Sequence, residues 1–94
     1  MSHLTYAVMK LALAKRVKTL RQEKRITQQG LAEMIGSSQS RVAKLENADR
    51  SVSMDLLVRS LAKMGATRAQ IGRIVGTQVV QPKSSTSKKR LAKT

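Results

Sequence analysis

Apolar residues in this chain recur every three or four positions and do not alternate, a spacing that predicts helices and not strands. Tyr6, Met9, Leu13, Val17 and Leu20 fall on one stripe of a long first helix expected over residues 5–24, and Leu4, Val8 and Leu11 form a second stripe on it. Leu31, Ala32 and Ile35 mark a short second helix, which Thr27 can N-cap and Gly36 can stop in the left-handed conformation. Ser38 starts a third, with Val42 and Leu45 on its inner face and Gln39, Ser40, Arg41 and Lys44 on or beside the opposite one. Two short amphipathic helices joined by a tight turn, the second polar and basic where it meets no core, make a helix-turn-helix suited to the DNA major groove.

After a loop over residues 48–52, Ser53 is placed to cap a fourth helix carrying Met54, Leu57, Leu61 and Met64, with Gly65 ending it. Both methionines read as adaptable core filler. Thr67 and Gln70 have the spacing of a capping box ahead of Ile71, Ile74 and Val75, so a short fifth helix is expected, closed by Gly76. Val79 and Val80 give residues 77–81 some strand character, open to pairing between subunits, but Pro82 and the polar run after it favour a disordered tail. The fold class expected is all-α. Residues 1–10 extend helix 1, residues 11–76 form the DNA-binding domain and residues 77–94 form a basic flexible tail.

Charge sharpens this picture. Nineteen Lys and Arg against five Asp and Glu give a net +14, the signature of a protein that meets a polyanion. Lys83, Lys88, Lys89, Arg90 and Lys93 put part of this excess in the tail, yet residues 1–82 keep a net +9. Ninety-four residues suit one domain near the lower limit of a self-sufficient core, where dimerisation helps. The lack of cysteine excludes disulfides and thiolate metal sites and fits a reducing cytoplasm. There is no secretory pattern at the N-terminus and no long uncharged apolar run, so a cytoplasmic, nucleoid-associated protein with no membrane contact is expected.

Catalytic chemistry has little to work with. His3 is the sole histidine, no acids are spaced for metal binding or acid/base work, and Gly72 and Gly76 belong to no phosphate loop. Glu46 reads as structural, a partner for Arg25 or Arg50. No enzyme activity, catalytic residue, metal or cofactor is expected. The single aromatic, Tyr6, weighs against a single-stranded nucleic-acid platform and leaves double-stranded DNA as the better partner.

From Leu13 to Gly65 the residues also resemble the helix-turn-helix regulators of the XRE or Cro/cI type. Leu13, Val17, Leu20 and Arg21 match the first helix of that family; Thr27, Gln28, Leu31, Ala32 and Gly36 match the second. Ser38, Gln39, Val42, Leu45, Glu46 and Asn47 resemble its recognition helix, and Ser53, Leu57, Met64 and Gly65 its fourth. Gly30 stands where the family usually has a glutamate or similar helix former, and Ala48 replaces the usual glycine after Glu-Asn.

The resemblance implies a compact five-helix, lambda-repressor-like DNA-binding domain acting as a transcriptional regulator, a repressor in the first instance. It implies that Thr27 and Gln28, at the start of the second helix, hold a phosphate. Ser38, Gln39, Ser40 and Lys44 would face bases, Gln39 suiting adenine and Lys44 guanine. Arg41 would read a guanine or clamp a phosphate, Asn47 would touch backbone, and Arg21 is a further phosphate candidate. Ser38 serves equally as a cap alone. A homodimer on two half-sites follows, with Leu4, Val8, Leu11, Ile71, Ile74 and Val75 as its candidate apolar surface, unless the second stripe of helix 1 meets the C-terminal helix of the same chain. The alternative is an antitoxin of the HigA type that neutralises a toxin protein and regulates its own operon. A third, weaker reading is a non-specific nucleoid protein.

Overall fold

The computed structural model describes residues 3–78, and they form five helices. These are α1 (His3–Glu23), α2 (Gln28–Ile35), α3 (Gln39–Glu46), α4 (Met54–Lys63) and α5 (Arg68–Gln78). Helix α1 runs through the middle and packs against α3, α4 and α5, while α2 packs on α3 and α4. Leu13, Val17, Leu31, Val42, Leu45, Leu57 and Leu61 are fully buried between them, with Leu20 and Ile35 nearly so. These nine aliphatic side chains all come from the helix stripes read in the sequence. Val52 joins them from the loop between α3 and α4, as do Leu56 and the small residues Ala14 and Ala32.

The helix ends follow from local chemistry. Thr27 Oγ1 accepts from the Gly30 amide at 2.9 Å and Ser53 Oγ from the Leu56 amide at 3.1 Å, each closing one otherwise unbonded donor. The Thr67 cap is reciprocal: its hydroxyl accepts from the Gln70 amide at 3.1 Å, and Gln70 Oε1 accepts from the Thr67 amide at 2.8 Å. Gly36 takes φ 67° and ends α2 with its own and the following amide bonded to carbonyls of the last turn. After α3, Ala48 adopts the same left-handed region, φ 54°, and the Asp49 amide returns to the Lys44 carbonyl at 3.0 Å. Alanine thus makes the turn that glycine makes elsewhere in the family, at a steric cost of about 1–2 kcal/mol.

Two expectations change here. Gly76 does not close the last helix: α5 continues through it to Gln78. A solvent-facing glycine lowers helix stability by only about 1 kcal/mol, and no proline intervenes before Pro82. Residues 79–94, including the proposed pairing segment at Val79 and Val80, lie outside the described residues. Second, Ile71, Ile74 and Val75 are not a free surface. They are partly buried against the main core, because α5 lies along α1. Of the second α1 stripe, Val8 is half-buried and Leu11 stays exposed, as does Tyr6 from the first stripe; the Leu4 side chain is outside the described set.

Candidate nucleic-acid interface

Helix α3 has eight residues, too few to be stable alone, and its orientation is set by what it buries. Val42, Leu45 and Glu46 stand at i, i+3 and i+4 and all point inward, Glu46 being only 7% exposed. A buried carboxylate needs a cation and hydrogen bonds to offset its desolvation. Arg21 of α1 supplies both. Its Nε donates to Glu46 Oε2 and its Nη2 to Oε1 at 3.2 Å, while Nη1 donates to the Ile26 carbonyl at 2.8 Å. Gln28, the first residue of α2, adds a donor from Nε2 to the same Oε1 at 3.2 Å. Its own Oε1 then accepts from Gln39 Nε2 at 3.5 Å, at the start of α3. One polar chain therefore runs from α1 through the base of α3 to the N-terminal edges of α2 and α3.

This arrangement relocates two residues. Glu46 pairs with Arg21 and not with Arg25 or Arg50, because it shares the inner stripe of α3 with Val42. Arg21, expected at a phosphate, has all three guanidinium nitrogens engaged inside the protein and a side chain only 11% exposed. What it holds in this structure is Glu46 and the Ile26 carbonyl.

Gln39, Ser40, Arg41 and Lys44 are exposed, as the pattern requires of residues that meet DNA. Ser38 Oγ accepts from the Arg41 amide at 3.2 Å and lies 3.3 Å from Ser40 Oγ, so it caps α3 while remaining at the surface. Thr27 caps α2, and half-buried Gln28 sits one residue further in. Asn47 donates from Nδ2 to the Ala43 carbonyl at 3.0 Å, closing the C-terminal end of α3. The structure brings Gln28 and Gln39 together and lines the other α3 side chains along one edge; Asn47 stands at its far end.

A second tie was invisible in the sequence. Lys10 Nζ donates to the Asp49 carbonyl at 2.9 Å, joining the N-terminal half of α1 to the loop after α3. In that loop Asp49 Oδ1 accepts from the Ser51 amide at 2.9 Å and the Ser51 hydroxyl at 2.7 Å. The Ser51 amide bond and then the hydroxyl bond hold the Asp49 carboxyl below its ordinary range, with nearby Lys44 and Lys10 adding to the effect. Asp followed two residues later by Ser was the available signal for this turn. Among the described residues no group of three His, Cys, Asp or Glu is placed to hold a metal ion, and no helix is long and apolar enough to cross a membrane.

A helix-turn-helix family model matches residues 17–66, from the middle of α1 to the turn before α5, and so covers α2 and α3 entirely. The chain belongs to the XRE-type helix-turn-helix family, whose members are DNA-binding regulators of transcription. Among curated proteins and solved structures, no significant match to the sequence was found.

Proposed function

We propose that the protein is a repressor that binds a specific double-stranded DNA sequence by inserting α3 into the major groove. The observation that carries this reading is the exposed edge of Gln39, Ser40, Arg41 and Lys44, coupled through Gln39 and Gln28 to the N-terminus of α2. Amides and partial positive charge at that N-terminus suit a phosphate, so Thr27 and Gln28 fix the register. Gln39 then reads adenine and Lys44 guanine, with Ser38 and Ser40 as lesser base contacts. Arg41 holds a guanine or phosphate, and Asn47 the backbone beyond. Arg21 contributes by fixing Glu46 and Gln28.

The protein acts as a homodimer on two half-sites about one helical turn apart. With α5 packed on its own chain, the large apolar side chains still exposed among the described residues are Tyr6 and Leu11 on α1 and Met34 on α2, at 45%, 44% and 38%, and the N-terminal half of α1 is the patch the partner covers. That same patch is what an antitoxin would offer a toxin, and a small ribonuclease-like reading frame next to this gene would favour that alternative. The decisive experiment is selection of binding sites from random duplex DNA. Recovery of a two-half-site consensus supports the reading, and recovery of unenriched DNA overturns it.

A further inference from the structure

On the side of α1 facing α5, a groove of about 490 Å³ opens between the C-terminal half of α1, the turn after α4 and α5 itself. Its apolar floor is Leu20, Ala66 and Ile74, and its rim carries Arg16, Lys24 and Arg73. None of these belongs to α2 or α3. The charges are poorly offset. Of the five acids among the described residues, Glu33, Glu46, Asp49 and Asp55 lie on α2, on α3, in the loop after it and in the first turn of α4, and none lines the groove. Glu23 stands 3.7 Å from Arg16, with both side chains about half exposed to water. Lys24 reaches over the α4–α5 turn, where Gly65 holds φ 99°; a methyl group added to that glycine would lie 3.8 Å from its Nζ. Gln70 gives its carbonyl oxygen to the Thr67 cap, which leaves its amide nitrogen to donate at the rim.

We infer that this groove binds a small phosphate monoester with a flat apolar body, an effector distinct from DNA. Three cations less Glu23 leave a net charge of two, which a phosphate dianion matches. Two guanidiniums and one ammonium are the donors such a group takes most strongly. Leu20, Ala66 and Ile74 provide the surface for the body, and the volume lies in the range of small-molecule sites. A DNA backbone fits the site less well, because a groove recessed between two helices presents its cations to a ligand that enters it and not to a rod lying across it.

The test is a ¹H–¹⁵N NMR titration of the full chain with phenyl phosphate at constant ionic strength. Saturable shifts at amides of residues 16–24 and 65–74 are expected, with weaker binding of inorganic phosphate, which lacks the apolar body. Replacing both exposed cations, Lys24→Gln with Arg73→Gln, raises the midpoint by about tenfold or more through loss of two charge-assisted contacts while thermal unfolding is unchanged. Linear shifts spread over every basic face, the same midpoint in the double variant, or no shift at all would each overturn the assignment. Displacement of phenyl phosphate by a DNA duplex would also overturn it and make the groove part of the DNA surface. Failure of α3 to select a DNA sequence leaves this titration unaffected, so the two proposals fail separately.

Discussion

Replacing Arg21 by methionine removes the cation from a carboxylate that is 7% exposed and leaves Glu46 with the single neutral donor from Gln28. Breaking a buried ion pair from one side destabilises proteins by about 3–5 kcal/mol, because the remaining charge is desolvated and unpaired. At ~0.05–0.15 kcal/mol per residue, the described domain has a total stability of about 4–11 kcal/mol. Arg21→Met therefore removes about a quarter or more of it, and in a domain of this size the melting temperature falls by at least about 12 °C. Urea unfolding followed by far-UV circular dichroism measures this directly. The control is Arg21→Met with Glu46→Leu, which removes both charges and so recovers most of the loss, giving a coupling of about 2 kcal/mol or more in the double-mutant cycle. Recovered stability does not restore DNA binding, because Gln28 and Gln39 have lost their anchor. A loss below about 1 kcal/mol in the single variant, or a double variant no more stable than the single, would refute the argument.

Gln39→Ala and Lys44→Ala should each cost about 1–3 kcal/mol on the selected DNA site and little on random DNA, whereas Gln28→Ala should weaken both alike; gel-shift titrations on the two DNAs decide this. Ala48→Gly relieves the left-handed strain at φ 54° but loosens the unfolded chain, so a net gain of about 0.5 kcal/mol in chemical denaturation is expected, and a loss would contradict the turn. Asp49 should titrate below its ordinary value by carboxyl NMR and move part of the way back up in Ser51→Ala, which removes the hydroxyl bond and keeps the amide bond. Since its pKa is lowered on folding, its contribution is present above that ordinary value and lost as pH falls through the folded one. Tyr6→Lys with Leu11→Lys should give a folded protein that sediments as a monomer and binds a palindromic site weakly; a monomeric parent at micromolar concentration would end the dimer proposal.

Helical spacing carried most of the fold into view, since residues three and four apart share a face whatever encloses them. Leu13 and Val17, Leu31 and Ile35, Val42 and Leu45, and Leu57 and Leu61 declare themselves this way, and Thr27, Ser53 and the Thr67–Gln70 pair declare the helix starts. Arg21 and Glu46 follow the same spacing, four residues after Val17 and Val42, and both face inward. Their charge argues for the surface, and only the three-dimensional approach of α1 to α3 shows that each makes the other's burial tolerable. The end of α5 was obscured for the opposite reason. Gly76 carries a stop signal, but stopping requires a left-handed turn, and Gly76 keeps helical backbone. Nothing in the pattern tells where α5 lies, so Ile71, Ile74 and Val75 read as an uncovered surface until their packing against the core is seen.

The inward charge matters more to function than to the size of the core. Each residue of a helix is turned about 100° from the last, so the rotation of α3 about its own axis determines which side chains reach a base pair. Val42 and Leu45 alone leave that rotation loosely defined, because aliphatic contacts lack direction. Glu46 adds direction: its two oxygens are gripped by a planar guanidinium from α1, and a third donor comes from Gln28. Lys10 then holds the loop leaving α3, so the same long helix constrains the recognition element at two separated points. A helix free to roll would offer Gln39, Arg41 and Lys44 to a base in turn. Clamped in this phase, it presents Gln39 beside Gln28, so that the phosphate contact and the base contact proposed for them would be set by one rigid geometry.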